Sequence, residues 1–290
     1  FYRQCYEFCL TNMKNAREYE QRIGLSADFS REFFTLDPRL TEVVYSTFYK
    51  MFEEGFVYRD KRIINQCPNC HTALADIDTE YEERRGIFAY IVYPFVDESD
   101  RKKAKELFGV EGITVATTRP ETMLGDTAVA VNPKDKRYAQ FVGKKVVLPI
   151  ANREIPVIAE ETTDMELGTG ALKVTPAHSP VDFEIGRKHS LPIVNVIDED
   201  GKMTGDIPER FIGMSTTDCS KALCKELDDL GLLVKIENIR HEVVICERCK
   251  STIEPIISIQ WYLNVESLAK RALEALRSGD VKVIPSGQQK

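Results

Sequence analysis

Two sets of residues in this chain have the types and spacings that chemistry requires. The first is a pair of C-x-x-C motifs, Cys67-Pro68-Asn69-Cys70 and Cys246-Glu247-Arg248-Cys249. A two-residue gap lets a tight turn aim both thiolates at one ion, and two such turns complete the tetrahedral shell of a structural Zn²⁺. Residues 71–245 lie between the pairs, far more than a zinc-ribbon loop holds. If both pairs bind one ion, everything between them is an insertion pinned at its two ends. With four thiolates in place the ion has no open position and would not activate water. The alternative is two unrelated pairs of buried or free cysteines. His71 and His241 lie near the motifs but read as surface or supporting residues, and Cys5, Cys9, Cys219 and Cys224 read as packing residues at near-helical spacing.

The second set occupies two stretches. One is Thr117-Thr118-Arg119-Pro120-Glu121-Thr122, continuing through Gly125-Asp126-Thr127 into Ala128-Val129-Ala130-Val131-Asn132-Pro133; the other is Gly168-Thr169-Gly170-Ala171-Leu172-Lys173-Val174-Thr175-Pro176-Ala177-His178-Ser179-Pro180-Val181-Asp182. Each reads as a strand entering a turn lined with polar groups. Alternation along a strand puts Lys173 and Thr175 on one face and turns Val174 to the core. Ser179, Pro180 and Asp182 stand at the N-cap, N1 and N3 of a helix start. Asp182 could simply cap that helix. The same position keeps a carboxylate ionised, and an ionised carboxylate at a pocket rim can grip an α-ammonium or a small hydroxyl. Arg119 and Thr122 frame a turn fixed by Pro120. Taken alone, Arg119 would be a surface ion pair and Lys173 a solvated strand end. Gly168-Thr169-Gly170 permits a close backbone approach to a ligand but is more often only a turn. His178 has no serine or cysteine partner at a revealing spacing and reads as structural.

The elements that must position these residues change character along the chain. Helical spacing and capping signals predict a helix ending near Gly24 and another from Asp37-Pro38 to Gly55. From Gly86 onward the pattern predicts short strands at 87–95, 113–118, 127–131, 145–150, 155–159, 171–175 and 193–197, with helices near 101–108, 180–189 and 217–230. A further strand is expected at 234–239 and a helix at 266–278. Many short strands of varied spacing with few helices predict an α+β fold, a compact β-barrel-like domain with flanking helices.

Composition narrows the function classes. A formal charge of -7 over 290 residues argues against a broad, sequence-blind polyanion binder, though not against a nucleic acid that enters one local pocket. No apolar run approaches the length needed to cross a bilayer. The chain opens on Phe1-Tyr2-Arg3 with no signal-peptide pattern, so it reads as a piece of a longer polypeptide. Eight cysteines in a large chain of this kind favour a reducing, cytoplasmic setting and metal ligation over disulfides.

The two polar stretches resemble the editing domain, often called connective polypeptide 1, that is inserted in the catalytic domain of valyl-, isoleucyl- and leucyl-tRNA synthetases. The resemblance extends over essentially the whole chain: 28–37 and 55–59 are similar to the segment leading into the insertion, 76–80 follows the first cysteine pair as in these enzymes, and 259–262 follows the second. The run from Arg119 through Thr122 to Asn132-Pro133, with Lys173-Val174-Thr175-Pro176-Ala177-His178, is most similar to the valine type. The resemblance implies hydrolysis of mischarged Thr-tRNA(Val). It implies an editing pocket built from Asp182, Arg119, Thr122, Lys173, Thr175, Thr117 and Thr118, with Asp182 on the substrate's amino or hydroxyl group. Its partners would be the 3′ CCA end of tRNA(Val) carrying threonine and the rest of the parent synthetase. It further implies one structural Zn²⁺ on Cys67, Cys70, Cys246 and Cys249.

The implied domains are a helical lead-in at 1–60, a split knuckle at 61–81 and 240–262, an editing domain at 82–238 and a return segment at 263–290. The ATP-handling signatures His-Ile-Gly-His and Lys-Met-Ser-Lys-Ser do not occur in the sequence, so this stretch is expected not to activate amino acids. Valine-type enzymes usually carry an aspartate after the motif histidine, where this chain has Ser179. Two other readings stay open: editing of the isoleucyl or leucyl type, and a non-catalytic zinc-ribbon RNA-binding module.

Overall fold

The computed structural model describes residues 1–288, so the last two positions of the 263–290 segment lie outside the described residues. In chain order the elements are α1 (Tyr2–Arg22), α2 (Pro38–Glu53), β1 (Val57–Cys67), β2 (Thr72–Leu74), β3 (Thr79–Pro94), α3 (Glu98–Phe108), β4 (Gly112–Thr117) and β5 (Ala128–Val131). They continue with β6 (Lys145–Leu148), β7 (Arg153–Ala159), β8 (Ala171–Val174), α4 (Pro180–Lys188), α5 (Thr216–Asp229), β9 (Leu233–Cys246), β10 (Glu254–Leu263) and α6 (Glu266–Ser278). They fall into two compact units: Phe1–Tyr58 with Trp261–Lys290, and Arg59–Gln260.

In the first unit, Asp37 caps α2 by accepting the Arg39 N–H at 3.0 Å, with Pro38 at the first helical position as the sequence predicts. Phe48 and Phe52, one turn apart on α2, meet Trp261 edge-on at ring separations of 5.3 and 5.9 Å. Helix α1 buries none of its residues. Cys5 and Cys9 are therefore exposed, which corrects their reading as packing residues, whereas Cys219 and Cys224 are buried on α5.

The second unit holds three sheets, with strand orders β10-β1-β2, β4-β3-β9 and β6-β7-β5-β8. In the last of these, β5 runs parallel to β7 and antiparallel to β8. The α+β class holds, but among the described residues no sheet closes on itself, so the expected barrel is an open arrangement. The β4-β3-β9 and β6-β7-β5-β8 sheets meet through a single-residue bridge between Phe95 and Val146 rather than a continuous ladder.

Strands β3 and β9 form a long antiparallel ribbon whose register runs from Thr79↔Cys246 to Ile91↔Leu233. The sequence reading saw only the inner halves of these strands. The outer half of β3 carries Glu82, Glu83, Arg84 and Arg85, which are exposed or half-exposed and give no apolar alternation. The inner half supplies Ala89, Ile91 and Tyr93 to the main core, along with Ile113 and Val115 of β4 and Leu223 and Leu227 of α5. The strand expected at 193–197 is absent except for a bridge between Ile197 and Met203. The Val196 N–H goes instead to a histidine ring, so the segment cannot offer a full ladder.

Candidate active site and metal centre

A cavity of about 720 Å³ opens in the second unit, and every pocket residue expected from the sequence lines it: Thr117, Thr118, Arg119, Thr122, Lys173, Thr175 and Asp182. They converge because β4 and β8 deliver two polar turns to one place. Lys173 and Thr175 share a face as alternation requires, while Val174 packs with Ala128, Ala130 and Ile185. Ser179 and His178 join the lining.

The floor is a closed hydrogen-bond network. The Lys173 ammonium donates to Thr175 Oγ1 at 2.7 Å, Thr122 Oγ1 at 2.8 Å and Asp126 Oδ1 at 3.2 Å. An ammonium has three protons, so all of them are engaged inside the protein. Lys173 is 7% exposed, not a solvated strand end. Asp126, fully buried, also accepts the Thr175 hydroxyl at 2.5 Å and the Tyr93 hydroxyl at 2.7 Å. Burial pushes the Asp126 carboxyl above the usual aspartate range, against the pull of Lys173, Thr175 and Tyr93. Burial likewise pushes the Tyr93 phenol well up, so it stays a donor.

Asp126 and Tyr93 are the residues that sequence reasoning missed. The available signal was an acid placed two residues before the wholly apolar, fully buried strand Ala128–Val131. A carboxylate entering such a strand must find a partner within the core.

Asp182 stands at the other side of the floor. Its Oδ2 accepts the Thr175 backbone N–H at 2.8 Å, and its own N–H donates to Ser179 Oγ at 3.3 Å, the N-cap contact expected for α4. Burial raises the Asp182 pKa above the ordinary value; Lys173, the Thr175 N–H and the Ser179 hydroxyl oppose this, and nearby Asp126 adds to it.

His178 is not free to act as a base. Its Nε2 accepts the Val196 N–H at 3.0 Å, which leaves Nδ1 to donate to the Pro255 carbonyl at 3.2 Å. Burial, with the nearby Arg119 charge, brings its pKa down to about 3, so the ring is a neutral structural bridge.

Arg119 lines the cavity, but its guanidinium turns to acids behind the wall. Its Nε donates to Glu121 at 2.9 Å and its Nη2 to Glu254 at 2.5 Å. Burial alone would lower its pKa, yet Glu254 and Glu121 outweigh this and hold it above the usual arginine value. Arg119 thus fastens the turn after β4 to the start of β10. Thr117 braces the same turn, with its Oγ1 accepting the Arg119 N–H at 3.0 Å, and Thr118 is exposed at the rim. Gly170 is required by packing rather than by a ligand: a Cβ there would stand 2.5 Å from Arg137 and 2.8 Å from the Met165 carbonyl.

The four motif cysteines come together in a separate cluster, with all four sulfur atoms within 4.8 Å of one another. Cys67 Sγ and Cys249 Sγ are 3.4 Å apart. Four sulfurs at about 2.3 Å from a tetrahedral zinc would stand roughly 3.8 Å apart, so the donor set fits such an ion. The turns have the expected tight form: the His71 N–H donates to the Cys67 carbonyl at 2.9 Å and the Lys250 N–H to the Cys246 carbonyl at 2.8 Å. His71 is turned to Asp200, at 3.1 Å, rather than to the sulfurs.

Residues 1–290 match the family model for tRNA synthetases class I (I, L, M and V), and the chain belongs to that family. The curated relatives it resembles are valine–tRNA ligases. The enzyme of Geobacter sulfurreducens is 48% identical over 91% of this chain, that of Clostridium tetani 45% over 93%, and that of Clostridium perfringens 44% over 100%. The chain spans only 29–32% of the length of these relatives. Among the described residues no helix is long and apolar enough to cross a membrane.

Proposed function

We propose that this chain is the proofreading module of a valine–tRNA ligase and hydrolyses the ester of Thr-tRNA(Val). A valine-selecting pocket rejects the isosteric threonine only about a hundredfold, the established figure for valyl-tRNA synthetases themselves. A second pocket must therefore accept threonine and refuse valine. The observation that carries this reading is the cavity floor, where Asp182, Thr175, Thr122 and Lys173 form one polar surface.

In this reading Asp182 takes the α-ammonium or side-chain hydroxyl of the threonyl group, and the threonine hydroxyls complete a polar seat. A valyl methyl in that seat would leave buried polar groups without partners, which a site of this kind penalises by up to about 10⁴-fold. Water attacks the ester carbonyl, and the bond from acyl carbon to ribose oxygen breaks. Threonine and a tRNA with its terminal hydroxyl restored are released. Orientation of an already labile ester and of the water supplies the rate. Arg119, Thr117 and Thr118 shape the wall that receives the 3′ adenosine. Cys67, Cys70, Cys246 and Cys249 hold one Zn²⁺, which closes the knuckle and takes no part in hydrolysis.

Deacylation of Thr-tRNA(Val), Val-tRNA(Val) and Val-tRNA(Ile) tests the proposal, using both this chain and the full-length synthetase containing it. Selective loss of the threonyl ester is expected, and Asp182→Ala should slow it about a hundredfold or more without unfolding the protein. Loss of valine from tRNA(Ile) would move the reading to an isoleucyl-type site. No hydrolysis by either protein at high concentration would leave a non-catalytic RNA-binding module.

A further inference from the structure

Proton directions in the floor network are fixed by its chemistry. Lys173 can only donate, and it donates to both Thr122 Oγ1 and Thr175 Oγ1. The Thr175 hydroxyl proton must then go to Asp126, at 2.5 Å, and the Thr122 hydroxyl proton to the Arg119 carbonyl, at 3.0 Å. Each threonine oxygen has one lone pair left and no proton to offer. Both oxygens belong to side chains that line the cavity, beside the Asp182 carboxylate, which also accepts. Asp126 itself is fully buried and absent from the cavity lining, held from behind by Tyr93 at 2.7 Å.

We infer that Asp126 is a positioning residue that turns the Thr175 hydroxyl proton inward, so that the floor formed by Thr122, Thr175 and Asp182 meets the substrate with hydrogen-bond acceptors. This rests on the proofreading reading above and deepens it. A floor of acceptors selects a substrate by its donors, namely the ammonium and the hydroxyl proton of threonine, and an acyl group without the hydroxyl offers only the first of these. With an amide at position 126, the side chain would carry a donor of its own. The Thr175 hydroxyl would be free to turn outward, and Lys173 would lose its countercharge.

The test compares hydrolysis of threonyl-tRNA(Val) with that of 2-aminobutyryl-tRNA(Val), whose acyl group is threonine without its hydroxyl, in the full-length synthetase. Asp126→Asn is expected to lower the ratio of the two kcat/KM values by about tenfold or more. General loosening would slow both esters and leave the ratio in place. An Asp126→Asn enzyme that melts like the wild type and keeps the wild-type ratio overturns the inference. If that variant does not fold, Thr175→Val decides, since it removes the cavity-facing oxygen whose proton Asp126 holds. A fall in the ratio supports the inference, and an unchanged ratio overturns it. Failure of the wild-type enzyme to hydrolyse the threonyl ester at all would instead strike the proofreading reading itself, and with it the substrate for which the floor is built.

Discussion

The cysteine knuckle and the cavity floor each gather polar groups from distant parts of the chain, but on opposite terms. At the knuckle all four groups are thiols, and as thiolates they repel one another until a cation joins them. The floor is complementary in itself. One ammonium sits among two carboxylates and two hydroxyls, with every Lys173 proton accepted and three donors on Asp126. On the proposed reading one region depends on an ion from outside the chain, and the other is completed by the fold. The contrast shows that the cysteine cluster and the cavity floor can lie in one compact unit while each is organised by different chemistry.

The largest expected effect tests the knuckle's dependence. Removing zinc with a chelator, or Cys246→Ser, should destabilise the module severely, since structural zinc contributes on the order of 10 kcal/mol of apparent binding energy. Metal analysis under reducing conditions should find one zinc per chain. Unchanged denaturant unfolding after chelation would erase the distinction between the two regions.

The floor should fail differently. Lys173→Met leaves Asp126 buried without its cation and is expected to cost about 3–5 kcal/mol; adding Asp126→Asn should recover part of that loss. Purely additive losses in the double-mutant cycle would mean that the two side chains do not act as a pair.

A smaller effect is set by pH. His178 titrates near 6.5 when unfolded and at about 3 when folded, so between these values the unfolded chain binds the extra proton. Its contribution is complete above pH 6.5 and drains away as pH falls, with a slope of up to about 1.4 kcal/mol per pH unit. The difference in unfolding free energy between wild type and His178→Asn should carry that slope, while the zinc content at pH 7 stays the same. A parallel pH dependence in both proteins would show that the ring is not held neutral.

The smallest effect concerns Ser179. Ser179→Ala should cost about 1 kcal/mol of stability through the lost cap, and Ser179→Asp should stay within about 0.5 kcal/mol. A larger loss with aspartate would point to repulsion from Asp182, which the same melting curves would reveal.

Much of this was legible from residues alone. Paired C-x-x-C spacing identified the four cysteines that meet, because two residues is the gap a metal turn needs. Ser179, Pro180 and Asp182 announced the start of α4, and alternation put Lys173 and Thr175 on one face, since capping and pleating are local physics. What stayed hidden depends on partners far away in sequence. Asp126 gains its meaning only from Lys173 and Tyr93, and Arg119 is occupied because Glu254 arrives from beyond the second cysteine pair. His178 is neutral because Val196 and Pro255 hold both of its nitrogens. The barrel stayed open because closure is decided by how strand edges meet, which no single strand encodes. The sequence by itself determined which chemical groups the chain owns and the local turns that present them. Only the tertiary structure decided which of those groups already satisfy one another and which are left facing the cavity, because burial and pairing, not residue type, fix what a polar group can still do.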